Sequence, residues 1–169
     1  MSAILEVRAR RAHRASVARA LFEGGLPEPV PGWQELGALP AWCLWPAAPR
    51  ARLARLVGAL FAAPGMRLWI AGERIEAARA VVGAAAFERV MRSPALPEEA
   101  PPLPLRGELA RLFDGAGRAV LLGSLPAPWM RTFAAPRLPQ ADGQVALCPP
   151  TIARALVPQA LAILAEERA

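Results

Sequence analysis

Leu53, Leu56, Val57, Leu60 and Phe61 recur at i, i+3, i+4, i+7 and i+8, the spacing that lines one face of an α-helix. Arg50, Arg52 and Arg55 fall mainly on the opposite side. Pro49 suits the start of this helix, and Pro64-Gly65 is expected to close it. Glu73 to Val82 and Ala84 to Arg92 carry the same period on either side of Gly83, as one kinked helix or as two short ones. Leu105, Leu109, Leu112, Phe113, Ala116 and Val120 mark another helix, in which Gly115 and Gly117 each cost about 1 kcal/mol relative to alanine. Glycines so placed permit close helix packing. Pro149-Pro150 or Thr151 opens a last helix through Ile152, Leu156, Leu161, Ile163 and Leu164. A kink is expected at Pro158, which removes an amide donor and clashes with the preceding turn.

Only Val145 to Leu147 resembles a short strand, so the expected fold is all-α. The length of 169 residues suits one domain. Within it, an arginine-rich helix over 3–22, ended by Gly24-Gly25, precedes two helical halves at about 33–92 and 105–168. A proline loop over 93–104 joins them. Residues 26–49 are punctuated by prolines yet hold Trp33, Trp42 and Trp45, and large rings favour burial over hydration, so ordered turns are expected there. Residues 125–139 repeat that character as a loop around Trp129 and Phe133. The run from Pro64 to Ile75 carries an apolar cluster around Trp69 and is built to pack. The expected contiguous core joins Trp42, Leu53, Leu56, Leu60, Phe61, Trp69, Ile75 and Phe87.

Composition removes most catalytic chemistry. The chain has no lysine, which excludes a P-loop lysine, a Schiff base and a pyridoxal attachment site. Gly115-Ala116-Gly117 lacks the third glycine and preceding strand of a dinucleotide fingerprint. His13 is the only histidine, and an exposed helix position is expected for it. Asp114 and Asp142 are the only aspartates, and Glu98-Glu99 lie in the proline loop, where solvation is the simpler reading. Cys43 and Cys148 are far apart, with no neighbouring cysteine to build a zinc site, and read as buried thiols. The reading is therefore no enzyme, no cofactor and no metal. Mean hydropathy is +0.27, but alanine supplies much of it. The best apolar window, Leu53 to Ile70, is broken by Arg55, Pro64, Gly65 and Arg67, so no membrane span is expected. The N-terminus lacks the apolar core of a secretory signal, and a cytoplasmic location follows as the expectation.

All 20 basic residues are arginine, and the net charge is +6. Lysine, asparagine and tyrosine are all absent, which GC-rich codon usage explains most economically, and this weakens the charge as evidence for nucleic acid. The first helix carries a thin apolar stripe, Ile4, Val7, Val17 and Leu21, among Arg8, Arg10, Arg11, Arg14 and Arg19. Clustered arginines neutralise phosphates, so a nucleic-acid-binding helix is the alternative reading. No accompanying helix-turn-helix, zinc finger or RNA-binding motif appears, and the aromatics do not interleave with the charges. Guanidinium forks equally suit carboxylate pairs on an acidic protein, with Arg8, Arg11, Arg14 and Arg19 as the contact residues.

One resemblance runs through these features, over roughly residues 33–168. Leu39-Pro40-Ala41-Trp42-Cys43-Leu44, Leu53-Ala54-Arg55-Leu56, Leu68-Trp69-Ile70-Ala71-Gly72-Glu73-Arg74-Ile75, Val81-Val82-Gly83 and Arg137-Leu138-Pro139 follow in an order that resembles the SctK/YscK family of type III secretion accessory proteins, including the plant-pathogen versions. Leu39 and Ala41 replace the His and Ser of that family's first motif. The resemblance implies a helical, non-enzymatic component of the sorting platform. It would link the cytoplasmic domain of an inner-membrane ring protein to the pod adaptor, meet the membrane only through partners, and be monomeric in isolation.

Overall fold

The Leu53–Phe61 stripe lies in a helix that extends beyond the pattern at both ends. In the computed structural model, which describes residues 3–25, 27–94, 108–140 and 147–167, this helix spans Ala47–Met66. It carries Pro64 inside its last turn instead of ending there; the Arg67 amide closes it onto the Ala63 carbonyl and the Leu68 amide onto that of Gly65. Numbered along the chain, the helices are α1 Ala3–Gly24, α2 Trp33–Leu36, α3 Ala47–Met66, α4 Gly72–Val82, α5 Ala84–Arg92, α6 Leu109–Gly123, α7 Pro128–Ala134 and α8 Pro150–Glu166. Short 3₁₀ turns cover Ala41–Leu44 and Ala135–Arg137. No strand occurs among the described residues, and the fold is all-α. Glu98-Glu99, Leu105, Asp142, Val145 and Ala146 lie outside the described residues, as does most of the proline loop; Leu147 has no regular structure.

The centre of the molecule is the antiparallel pair α3 and α6, one from each half of the chain. A Cβ on Gly58 would come closer than 3.0 Å to the backbone of Phe113, and a Cβ on Gly117 equally close to the carbonyl of Ala54. Backbone meets backbone at both points. The rising order 54, 58 against the falling order 117, 113 sets the antiparallel register. Gly117 thus has the packing role its position suggests, and Gly58, hidden inside the leucine stripe, is its counterpart. The halves are therefore not separate lobes.

Around this pair the core closes over Leu53, Leu56, Leu60, Trp42, Trp69 and Phe87, all buried. Phe61 and Ile75 are only partly buried and pack against its edge. Gly83 divides α4 from α5 with φ +90°, a left-handed value that favours glycine, so the two patterns are two helices. Residues 128–134 form a helix with Pro128 at its first position, not a loop, and bury Trp129, Met130 and Phe133. The last helix runs through Pro158 as one element.

Trp33 and the segment around Trp69 depart from the expectation of burial. Trp33 is exposed on the four-residue α2. Beyond α3 the chain leaves the helix, and Trp69 turns inward while Leu68 and Ile70 on either side face solvent, Ile70 at 99% exposure.

The α3–α6 contact generates a sharp contrast. Gly58→Ala and Gly117→Ala should each destabilise by about 1–3 kcal/mol or more through overpacking, in spite of up to about 1 kcal/mol gained in helix propensity. Gly72→Ala, at the open first position of α4 with nothing within 4 Å, should be neutral or stabilising. Urea unfolding of the three variants checks this ordering.

Candidate protein-docking site

Several ion pairs join one helix to another. Arg55 on α3 grips Asp114 on α6 side-on, Nε to Oδ1 at 3.0 Å and Nη2 to Oδ2 at 2.8 Å. Those hydrogen bonds raise the Arg55 pKa above its ordinary value despite partial burial. Arg52 donates to Glu167 through the same Nε and Nη2 edge. Arg79 bridges Glu76 and Glu88, and Arg89 reaches Glu166. Arg50, Arg52 and Arg55 are thus half-buried connectors instead of a free face.

At the end formed by α1, α7 and the turn 135–137, guanidinium groups are held differently. Arg50 donates through Nε to the Arg137 carbonyl at 2.7 Å. Arg118 donates through Nη1 to the carbonyls of Ala135 at 2.6 Å and Pro139 at 3.2 Å. Arg131 donates through Nε to the Leu125 carbonyl at 2.9 Å, and Arg137 through Nη1 to that of Phe133 at 2.6 Å. Carbonyls satisfy donors without cancelling charge, so this end keeps its positive potential. Burial, then the neighbouring Arg137 charge, lowers the Arg50 pKa from its ordinary value.

Along α1 the expected apolar stripe splits. Val17 and Leu21 are buried, but Ile4 and Val7 are exposed; at about 100° per residue Ile4 points well away from Val17, whereas Val7 stays near the direction of Leu21. Arg10 shares the direction of Val17 and is nevertheless exposed, paired with Glu6, so the first turns of α1 project past the core. On the outer side Ile4, Arg8, Arg11, Ala15, Arg19 and Phe22 succeed one another at steps of three and four, all exposed. Phe22, at 80% exposure, ends this row.

Of the four arginines expected to act together, Arg8, Arg11 and Arg19 share that row. Arg14 does not: it is half-buried, its Nε lies 2.9 Å from where a Gly37 Cβ would stand, and that Nε has no partner among the described residues. His13 is half-buried too, its Nε2 2.8 Å from the Leu39 carbonyl oxygen, and it ties α1 to the segment before Trp42. The exposed-histidine expectation is corrected by that contact.

Beside the end of the row lies a groove of about 260 Å³ between the last turn of α1 and α7, lined by Leu21, Pro27, Phe133, Pro136 and Arg137 among others. Its walls come from segments far apart in the chain, so no sequence pattern marks it. Among the described residues, no group of three His, Cys, Asp or Glu side chains is placed to hold a metal, and no helix is long and apolar enough to cross a membrane. Comparison with protein-family models, curated proteins and solved structures finds no significant match.

The two cysteines are buried, and burial pushes the Cys43 thiol up to about 12, against the opposing pull of Arg50 and Arg137. The folded pKa exceeds the unfolded one, so the stability Cys43 contributes is complete below about pH 9 and is lost as pH rises toward 12. In that window the unfolding free energy should fall by about 1.4 kcal/mol per pH unit from this group. Burial raises the Cys148 thiol as well, so both proteins should lose stability in alkali, and in urea titrations the wild type should fall more steeply than Cys43→Ala by that Cys43 slope.

Proposed function

We propose that this protein is a non-enzymatic helical adaptor that docks on an acidic protein surface through the outer row of α1. The observation that carries the reading is that row, Ile4, Arg8, Arg11, Ala15, Arg19 and Phe22, which exposes apolar and guanidinium groups together. A face of this kind suits a protein partner, because apolar side chains at both ends supply contact area while guanidinium forks match carboxylates. The resemblance to the SctK/YscK family supplies the setting: a cytoplasmic protein at the inner membrane that joins the ring protein's cytoplasmic domain to the pod adaptor of a type III secretion system.

The test uses those two proteins from the same bacterium, immobilised in turn, with association followed by biolayer interferometry. Wild type should bind both. Arg8→Glu/Arg11→Glu/Arg19→Glu should keep its thermal midpoint, since exposed charges contribute only about 0–1 kcal/mol to folding. It should associate more slowly with at least one partner, with a weaker dependence on salt. Failure of wild type to bind either protein would overturn the secretion setting. Tight, sequence-independent binding to duplex DNA that is lost in the triple variant would replace this reading with nucleic-acid binding.

A further inference from the structure

The groove at the end of α1 holds an arginine whose fork is half used. Arg137 stacks on Phe133, its Cζ 3.7 Å from the ring centroid, and donates through Nη1 to the Phe133 carbonyl. Both contacts fix the plane of the guanidinium. Nε and Nη2, which form one side of the fork, have no acceptor among the described residues. Arg55 and Arg52 fill that same edge with Asp114 and Glu167. Nη2 of Arg137 lies only 2.9 Å from where a Cβ on Gly24 would stand, so the missing side chain lets the fork lie against the end of α1.

The surroundings select the ligand. Leu21, Pro27, Phe133 and Pro136 give apolar walls, and Thr132 stands exposed at the rim. The volume of about 260 Å³ falls below the roughly 300–1,000 Å³ of small-molecule pockets, and suits one large side chain with its neighbour. Arg50, Arg118 and Arg131 leave positive charge nearby that no ion pair cancels among the described residues. Glu23 and Glu28, the carboxylates closest in sequence to the groove, are exposed and form no ion pair among the described residues.

We propose that this groove is a peptide-docking site for an acidic segment of a protein partner, seating one apolar side chain against Leu21 and Phe133 while the adjacent carboxylate takes the Nε–Nη2 edge of Arg137. The proposal rests on the adaptor reading and names the chemistry of the partner's segment. It places the specific contact at the end of α1, where the arginine row supplies attraction.

The probe is a fluorescein-labelled, end-blocked peptide alternating leucine or phenylalanine with glutamate, followed by anisotropy against its glutamine counterpart. The glutamate peptide should bind wild type, and Arg137→Gln should weaken it about tenfold or more. Thr132→Glu, a rim change outside the core, should weaken it as well while circular dichroism shows an unchanged fold. Arg8→Gln/Arg11→Gln should weaken it by less than Arg137→Gln at moderate salt. Absence of binding to wild type, equal binding of the glutamine peptide, or full binding by both Arg137→Gln and Thr132→Glu would overturn the groove. So would equal binding of an oligoglutamate peptide without apolar residues. Each of these results leaves the partner-capture test on α1 to be decided separately.

Discussion

Two helices that meet through glycine can lock in only one register, and the α3–α6 contact is of that kind. Gly58 admits the backbone of Phe113, and Gly117 admits that of Ala54. Any slip by one residue would drive a side chain into a carbonyl. The Arg55–Asp114 pair spans the same interface beside the glycines, so the polar contact forms only in the register the glycines allow. Gly123 continues the theme, since a Cβ there would collide with the carbonyl of Cys148, just before α8. The remaining helices close over a core whose geometry this pair has already set.

That arrangement also decides where charge is left over. Ion pairs join α3 with α6, α4 with α5, and α5 with α8. At the α1–α7 end the joining groups are guanidinium-to-carbonyl bonds, which order the turn at 135–137 without neutralising it. A structural solution at one end thus creates the electrostatic character on which the proposed docking depends.

The helices are legible in the sequence where their periodicity is long. The leucine stripe of α3 and the break at Gly83 follow from spacing alone, and six of the eight expected core residues are buried: Trp42, Leu53, Leu56, Leu60, Trp69 and Phe87. Gly58 is silent, because a glycine within a stripe gains meaning only from the backbone opposite it. The helix at 128–134 is hidden for another reason: seven residues between prolines have little helical tendency of their own and depend on burying Trp129 and Phe133. For the site, the arginines of α1 are visible, but the diversion of Arg14 onto Gly37 and of His13 onto Leu39 depends on a segment that folds back from elsewhere in the chain. The groove is invisible for the same reason.

If the glycine contacts govern the fold, α3 and α6 form one unit from which the projecting end of α1 is energetically separate. Residue-resolved native-state hydrogen exchange reads that division out. The amides flanking Gly58 and Gly117 should exchange last and together, with free energies equal to that of global unfolding, while those in the first turns of α1 should exchange much faster. Slow exchange throughout α1, or separate opening of α3 and α6, would contradict it.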